Sequence, residues 1–182
     1  DPLQIYGERF RNNPDNVSYG LDFAERLLNA DRPEDAIDVL KQVILQDKTS
    51  KVAYRKLGLA YDRADLYDNA SNAYEELHAL DPRDFKVAIQ VSDVNIAAGN
   101  YGKAMRWAEK AITSSKSGEA YGQRGNVYYK AFQECRSTDI SIDDRIVASL
   151  SYQSFKLAED NDYKRFHNSL LWLKENEVLF GR

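Results

Sequence analysis

Apolar and polar positions follow one another along this chain with the period of a helix. In YRKLGLAYDRADLYDNASNAYEELHALDP, residues 54–82, Tyr54, Leu57 and Tyr61 fall three to four apart, and after a polar break Ala70, Tyr74 and Leu77 repeat that spacing. Such spacing gives each of two helices one apolar face. Read the same way, the whole chain predicts helices at about 3–12, 16–30, 33–46, 51–63, 67–80, 85–98, 101–114, 119–135, 143–159 and 162–176. No strand-like alternation competes with them.

The segment also matches itself when slid along the sequence. A forward step of about 34 residues sets Ala70 over Ala104, Leu77 over Ala111 and Leu66-Tyr67 over Asn100-Tyr101. The reverse step sets Ala70 over Ala36, Tyr74 over Leu40 and Gly58 over Ala24, so small residues fall on small ones. Gly58, Ala70, Ala104 and Ala111 let helices approach closely, while Tyr54, Tyr61 and Tyr74 fill the spaces between. Asp81-Pro82 stops a helix, because proline disfavours helical geometry in the residue before it. Arg32-Pro33-Glu34-Asp35 starts another, with acidic residues where the helix dipole favours them.

On these residues the chain resembles the tetratricopeptide repeat family. Tyr54, Leu57, Gly58, Tyr61, Ala70, Tyr74, Leu77 and Pro82 occupy nearly every characteristic position of one repeat. Gly20, Phe23, Ala24, Leu27, Ala36 and Leu40 form a degenerate copy before it, and Ala88, Val91, Ser92, Gly99, Ala104, Ala108 and Ala111 another after it. The resemblance implies an all-α fold, a right-handed α-solenoid of helix-turn-helix tetratricopeptide repeats with a C-terminal capping helix. It divides a single domain, 1–182, into a partial repeat or N-terminal cap (1–16), repeats at 17–50, 51–84, 85–117 and 118–161, and a capping segment at 162–182.

The fourth repeat departs from the pattern. Tyr121, Gly125 and Tyr128 mark its first helix, which runs on to about Cys135, and Ser151, Phe155 and Ala158 mark its second. An insertion at about 136–142 separates them, with Ser141 or Asp143 as the N-cap of the second helix. Tyr163, Phe166, Leu170 and Leu173 then form an apolar stripe suited to closing the stack, and Trp172 lies off it.

Composition narrows the function. A chain of 182 residues, 43% hydrophobic and 30% charged, can bury a continuous core. Its 25 basic and 29 acidic residues give a net charge of −4, without the excess of positive charge that draws proteins to nucleic acid or anionic membranes. No apolar run reaches the roughly 20 residues that span a bilayer, and the N-terminal residues lack the layout of a secretory signal. The expectation is a soluble protein of undetermined compartment, and a chain beginning at Asp1 is open to being an excised piece.

Catalytic parts are scarce. His78 and His167 fall in separate helices, Cys135 has no histidine near it in sequence, and no Cys/His spacing suits a metal. The acidic runs read as solvated faces or helix starts, and the glycines of YGQRGN lie inside a helix rather than after a strand. The expectation is no enzyme, no cofactor and no metal.

Family register assigns the first helix of each repeat to the concave side of the solenoid, where a peptide or protein segment would lie. Leu21, Glu25, Leu28 and Asn29 are placed there from the first repeat, and Arg55, Lys56, Leu59, Asp62 and Arg63 from the second. Lys86, Ile89, Gln90 and Asp93 follow from the third, and Gln123, Asn126, Tyr129 and Lys130 from the fourth, with Tyr129 the best anchor. The clamp with which some family members hold chaperone tails needs Lys and Asn where this chain has Leu21 and Glu25, or Arg55 and Leu59, so that ligand is not the expectation. The leading function is a non-enzymatic interaction scaffold. The alternatives are a structural segment of a longer repeat protein and a regulatory domain of an enzyme whose catalytic part lies elsewhere. Self-association through Trp172 and the last helix is a further possible contact.

Overall fold

The computed structural model of the protein describes residues 2–136 and 138–176, which form helices and turns and no strand. Ser137, within the expected insertion, and 177–182 of the expected capping segment lie outside the described residues. The chain divides into two compact units, Asp1–Pro82 and Arg83–Arg182. Among the described residues no helix is long and apolar enough to cross a membrane.

The first unit contains α1 (Pro2–Asn12), α2 (Val17–Asn29), α3 (Pro33–Gln46), α4 (Lys51–Arg63) and α5 (Tyr67–Leu80). α2 pairs with α3 and α4 with α5, while α1 rests on α2 and α4 lies beside α2. The second unit repeats this plan with α6 (Phe85–Ala97), α7 (Tyr101–Ser114), α8 (Gly118–Cys135), α9 (Ile142–Asp160) and α10 (His167–Glu175). α6 pairs with α7 and α8 with α9, α8 lies beside α6, and α10 rests on α9. Below, α2, α4, α6 and α8 are the A helices and α3, α5, α7 and α9 the B helices.

Two kinds of turn, recurring with the repeat, make these pairs. Each A helix starts at a short polar side chain that accepts a hydrogen bond from an otherwise unpaired backbone N–H: Asn16 from Tyr19, Ser50 from Ala53, Asp84 from Lys86 and Ser117 from Ala120. The first three A helices end in one motif. The N–H of Arg32, Leu66 and Asn100 returns to the carbonyl of Leu27, Tyr61 and Asn95 at 2.9, 2.9 and 2.8 Å. The residue before each, Asp31, Asp65 and Gly99, takes φ of 55°, 57° and 74°. Chain reversal there needs left-handed backbone, which only glycine adopts without penalty. Asp31→Gly should therefore stabilise the protein by about 0.5–1 kcal/mol, the left-handed penalty removed less glycine's greater freedom when unfolded. A urea midpoint no higher than that of the parent would refute this.

The next residue in that series is Gln133, and there the motif is missing because α8 continues through it to Cys135. α9 then starts at a reciprocal cap, in which Ser141 accepts from the Asp144 N–H and the Asp144 carboxylate accepts from the Ser141 N–H at 2.8 Å. The last helix begins at His167, five residues later than the pattern predicts. Asp162, at φ 62°, and the bond from the Tyr163 N–H to the Ala158 carbonyl form a helix-ending turn there, and Tyr163 to Phe166 are non-helical.

Where A and B helices cross, the side-chain volumes are complementary. A Cβ added at Gly58 would lie 2.5 Å from the Tyr74 ring, and one at Gly125 would lie 2.5 Å from the Phe155 ring. The first repeat has Ala24 and Leu40 at the corresponding positions, a larger residue facing a smaller one. In the third repeat Ser92 takes the small place, and its hydroxyl donates to the Ala104 carbonyl at 2.8 Å. Beyond α9 the core is aromatic. Phe132, Phe155, Leu170 and Leu173 are buried together, Phe166 stacks on Phe155 at 5.0 Å, and Trp172 folds back onto Tyr129 and Phe132 at 6.1 and 6.3 Å.

Candidate functional site

In the first unit the A-helix face is formed by α2 and α4. Lys56 reaches Glu25 across the two helices at 3.1 Å, and Arg63 donates to the Leu28 carbonyl at 2.7 Å, near the end of α2. Leu28 itself is buried, Leu59 is half-buried and Arg55 exposed. Burial, reinforced by the Asp65 carboxylate, pushes the Asp62 carboxyl above its ordinary value, and Arg63 opposes the shift. A carboxyl raised in the folded state is a penalty at neutral pH that vanishes as pH falls below its unfolded value. Asp62→Asn should accordingly raise stability at pH 7, with the gain disappearing at acid pH. An equal gain at pH 7 and pH 3 would contradict the assignment.

The second unit builds its A-helix face from α6 and α8. Lys86 is largely exposed and stands 3.9 Å from Glu119. The Gln123 amide nitrogen, by contrast, donates to the Ser92 hydroxyl at 3.0 Å and to the Asp93 carboxylate at 2.8 Å, and the residue is 4% exposed. Gln90 and Asn126 are half-buried and Lys130 is exposed, while Ile89 belongs to the core. Tyr129 is held between Phe155, at 6.0 Å, and the edge of Trp172. Its ring therefore links α8 to α10, and truncating it would disturb the end of the stack as well as any surface.

Arg165 comes to this face without a signal in the repeat pattern. The segment Tyr163–Phe166 lies against α8 where Gly118 and Gly122 lack side chains, with the Tyr163 ring 3.0 Å from a Cβ placed at Gly122. Arg165 follows Tyr163, and a hydrogen bond to the Tyr163 oxygen raises the guanidinium above its ordinary value; Asp93 and Glu119 add to that, against partial burial. Sequence reasoning missed it because the position lies in an irregular connection beyond the fourth repeat.

His167 shares a 2.6 Å bond with Glu159, joining the start of α10 to the end of α9, His78 lies on α5, and Cys135 is exposed at the end of α8. Among the described residues no three His, Cys, Asp or Glu side chains are grouped as metal ligands would be.

Helix pairs of this length, closing turns at a fixed period and small-on-large crossings define an all-α protein with the tetratricopeptide-repeat fold, a solenoid of helical repeats. Solved structures share it. A crystal structure of MamA is 24% identical with a TM-score of 0.71, covering 88% of this chain and 86% of that one. MamA from Desulfovibrio magneticus RS-1 is 17% identical with a TM-score of 0.69, covering 90% and 86%. YrrB, described as a TPR protein with an unusual peptide-binding site, is 14% identical with a TM-score of 0.57, covering 96% and 95%. No protein-family model matches the sequence, and no curated protein matches it. At these identities the likeness carries the fold and leaves function to the residues.

Proposed function

We propose that this protein is a non-enzymatic interaction scaffold that holds an extended segment of a partner protein on its A-helix faces, the concave side in solenoids of this kind. Four repeats, at 17–50, 51–84, 85–117 and 118–161, supply the surface. The observation that supports the reading is the convergence on one face of the second unit of Lys86 and Asp93 from α6 with Glu119 and Gln123 from α8. Arg165, in the α9–α10 connection whose Tyr163 and Phe166 pack on α8, adds a second cation near this face. In the first unit Lys56 and Glu25, with exposed Arg55, form a second mixed-charge surface. Mixed charge on a half-buried platform suits specificity and orientation more than bulk attraction.

The test is capture of partner proteins by the whole chain and by a variant carrying Arg55→Glu, Lys86→Glu and Lys130→Glu. These three side chains are exposed, so the variant should fold as the parent does. A partner kept by the parent and lost by the variant is the expected result. Equal retention by both would move the function away from these faces.

A further inference from the structure

The fourth repeat differs from the others in length as well as in its connection. α8 has 18 residues where α2, α4 and α6 have 13, and α9 has 19 where α3, α5 and α7 have 14. Matching Ser151, Phe155 and Ala158 to Ala70, Tyr74 and Leu77 sets Ala148 over Tyr67, the first residue of α5. Residues 142–147 are therefore a helical extension without a counterpart in the earlier repeats. An apolar stripe starts in it. Ile142 and Ile146 are 77% and 52% exposed, Leu150 is half-buried, and Leu157 is 39% exposed. At about 100° per residue the four fall within about 80° of arc, on the side of α9 opposite the buried Ala148, Ser151, Phe155 and Ala158. The other exposed large apolar residues stand singly: Ile5 on α1, Leu45 on α3, Val52 on α4, Leu66 in the α4–α5 turn and Leu171 on α10.

Charge marks one edge of this stripe. By helical position Arg145 and Lys156 lie along the same edge, about three turns apart, and Asp143 lies on the other. Among the described residues neither cation forms an ion pair. Arg145 is half-buried, and its Nε is shielded from solvent with no hydrogen-bond acceptor among those residues. A guanidinium already partly out of water and lacking a carboxylate gains more from an incoming one than a fully solvated cation does, because part of its desolvation has already occurred. We infer that the outer face of α9 docks an amphipathic helix of a partner protein, apolar along one stripe and acidic on one edge. Apolar side chains of that helix, spaced three and four apart, pack between Ile142, Ile146, Leu150 and Leu157. Two of its carboxylates, about three turns apart, meet Arg145 and Lys156 and set its register. This site lies on a B helix and stands whether or not the A-helix faces bind a segment of their own.

The test is selection on the whole chain from a display library of helical peptides of about 18 residues, the length of α9, with an Ala/Gln framework and random residues on one face and both its edges. Retained sequences should carry Leu, Ile or Met at spacings of three and four and Asp or Glu on one edge. Ile146→Lys should weaken the best of them at least about tenfold in Kd, while Lys86→Glu on the A-helix face leaves Kd within about twofold. Lys156→Glu should weaken it about fivefold, and a peptide with Lys in place of the acidic residues should bind that variant better than the parent. An unchanged urea midpoint for Ile146→Lys separates lost docking from lost folding, and Ile142→Lys, at the most exposed position, repeats the test independently. A selection that returned no helix sensitive to these two substitutions, or helices as often basic as acidic on the edge, would overturn the inference. A parent that sediments as a dimer and an Ile146→Lys variant that sediments as a monomer would overturn it as well, by making a second copy the occupant.

Discussion

Gly58→Ala is expected to destabilise the protein by about 1–3 kcal/mol, the usual cost of forcing volume into a close-packed site. The same substitution in an unobstructed helix gains up to about 1 kcal/mol, because alanine is the better helix former. Sign is therefore the test. The added methyl would come within 2.5–2.7 Å of three atoms of the Tyr74 ring, and that ring is itself buried, so it has nowhere to move. Gly102→Ala on α7 is the control, since its nearest obstacle is the flexible end of Arg106 at 3.9 Å, and it should be neutral or stabilising. In a Tyr74→Leu background Gly58→Ala should stop being harmful, because the pair then copies Ala24 and Leu40 of the preceding repeat. Urea unfolding of the four variants measures the coupling directly. A Gly58→Ala protein as stable as the parent would mean that the helices do not cross as closely as described.

Phe155→Ala should have the largest effect, a loss of about 3–5 kcal/mol. The side chain is 1% exposed, stacks on Phe166 at 5.0 Å, and fills the place that Gly125 leaves open. Removing it leaves a cavity between α8, α9 and the segment leading to α10, all of which meet at this ring. Phe155→Leu retains much of the volume and should cost less than half as much. Because Trp172 rests on Tyr129, which in turn contacts Phe155, the fluorescence of Trp172 should report the loss as well. A cost below about 1 kcal/mol for the alanine variant would show that the aromatic cluster is not the core of this end of the chain.

Much of the fold was legible because the repeat states each requirement several times. A proline after Asp81, a polar N-cap before each A helix and small residues at each crossing are local demands, and the period let one clear copy locate the weaker ones. The start of α10 was misjudged for the same reason, since beyond the fourth repeat there is no copy to compare with. An apolar stripe from Tyr163 to Leu173 fits a helix, yet Tyr163 and Phe166 are half-buried by packing on α8 and α9 in an irregular segment. Helical spacing and side-chain burial usually coincide, and here only burial was needed.

The face was less legible than the frame. Register placed Lys56 and Lys86 on it but could not give them Glu25 and Glu119 as partners, because those distances depend on how neighbouring A helices are offset. Tyr129 read as an anchor pointing into the groove, and what the register could not give is that its half-buried ring also packs on Trp172, which the fold of α10 brings against it. Gln123 read as a surface amide, and the close approach of α6 and α8 buried it.

By itself the sequence determined the number and order of the helices, the places where the chain turns, and the residues on which paired helices cross. Those are set by spacing, capping and size, which are properties of short segments. Tertiary structure alone decided the burial of Gln123, the course of Tyr163–Phe166 with Arg165, and the position of Trp172. Each of these depends on contact between helices far apart in the chain, and a local pattern carries no distance between them.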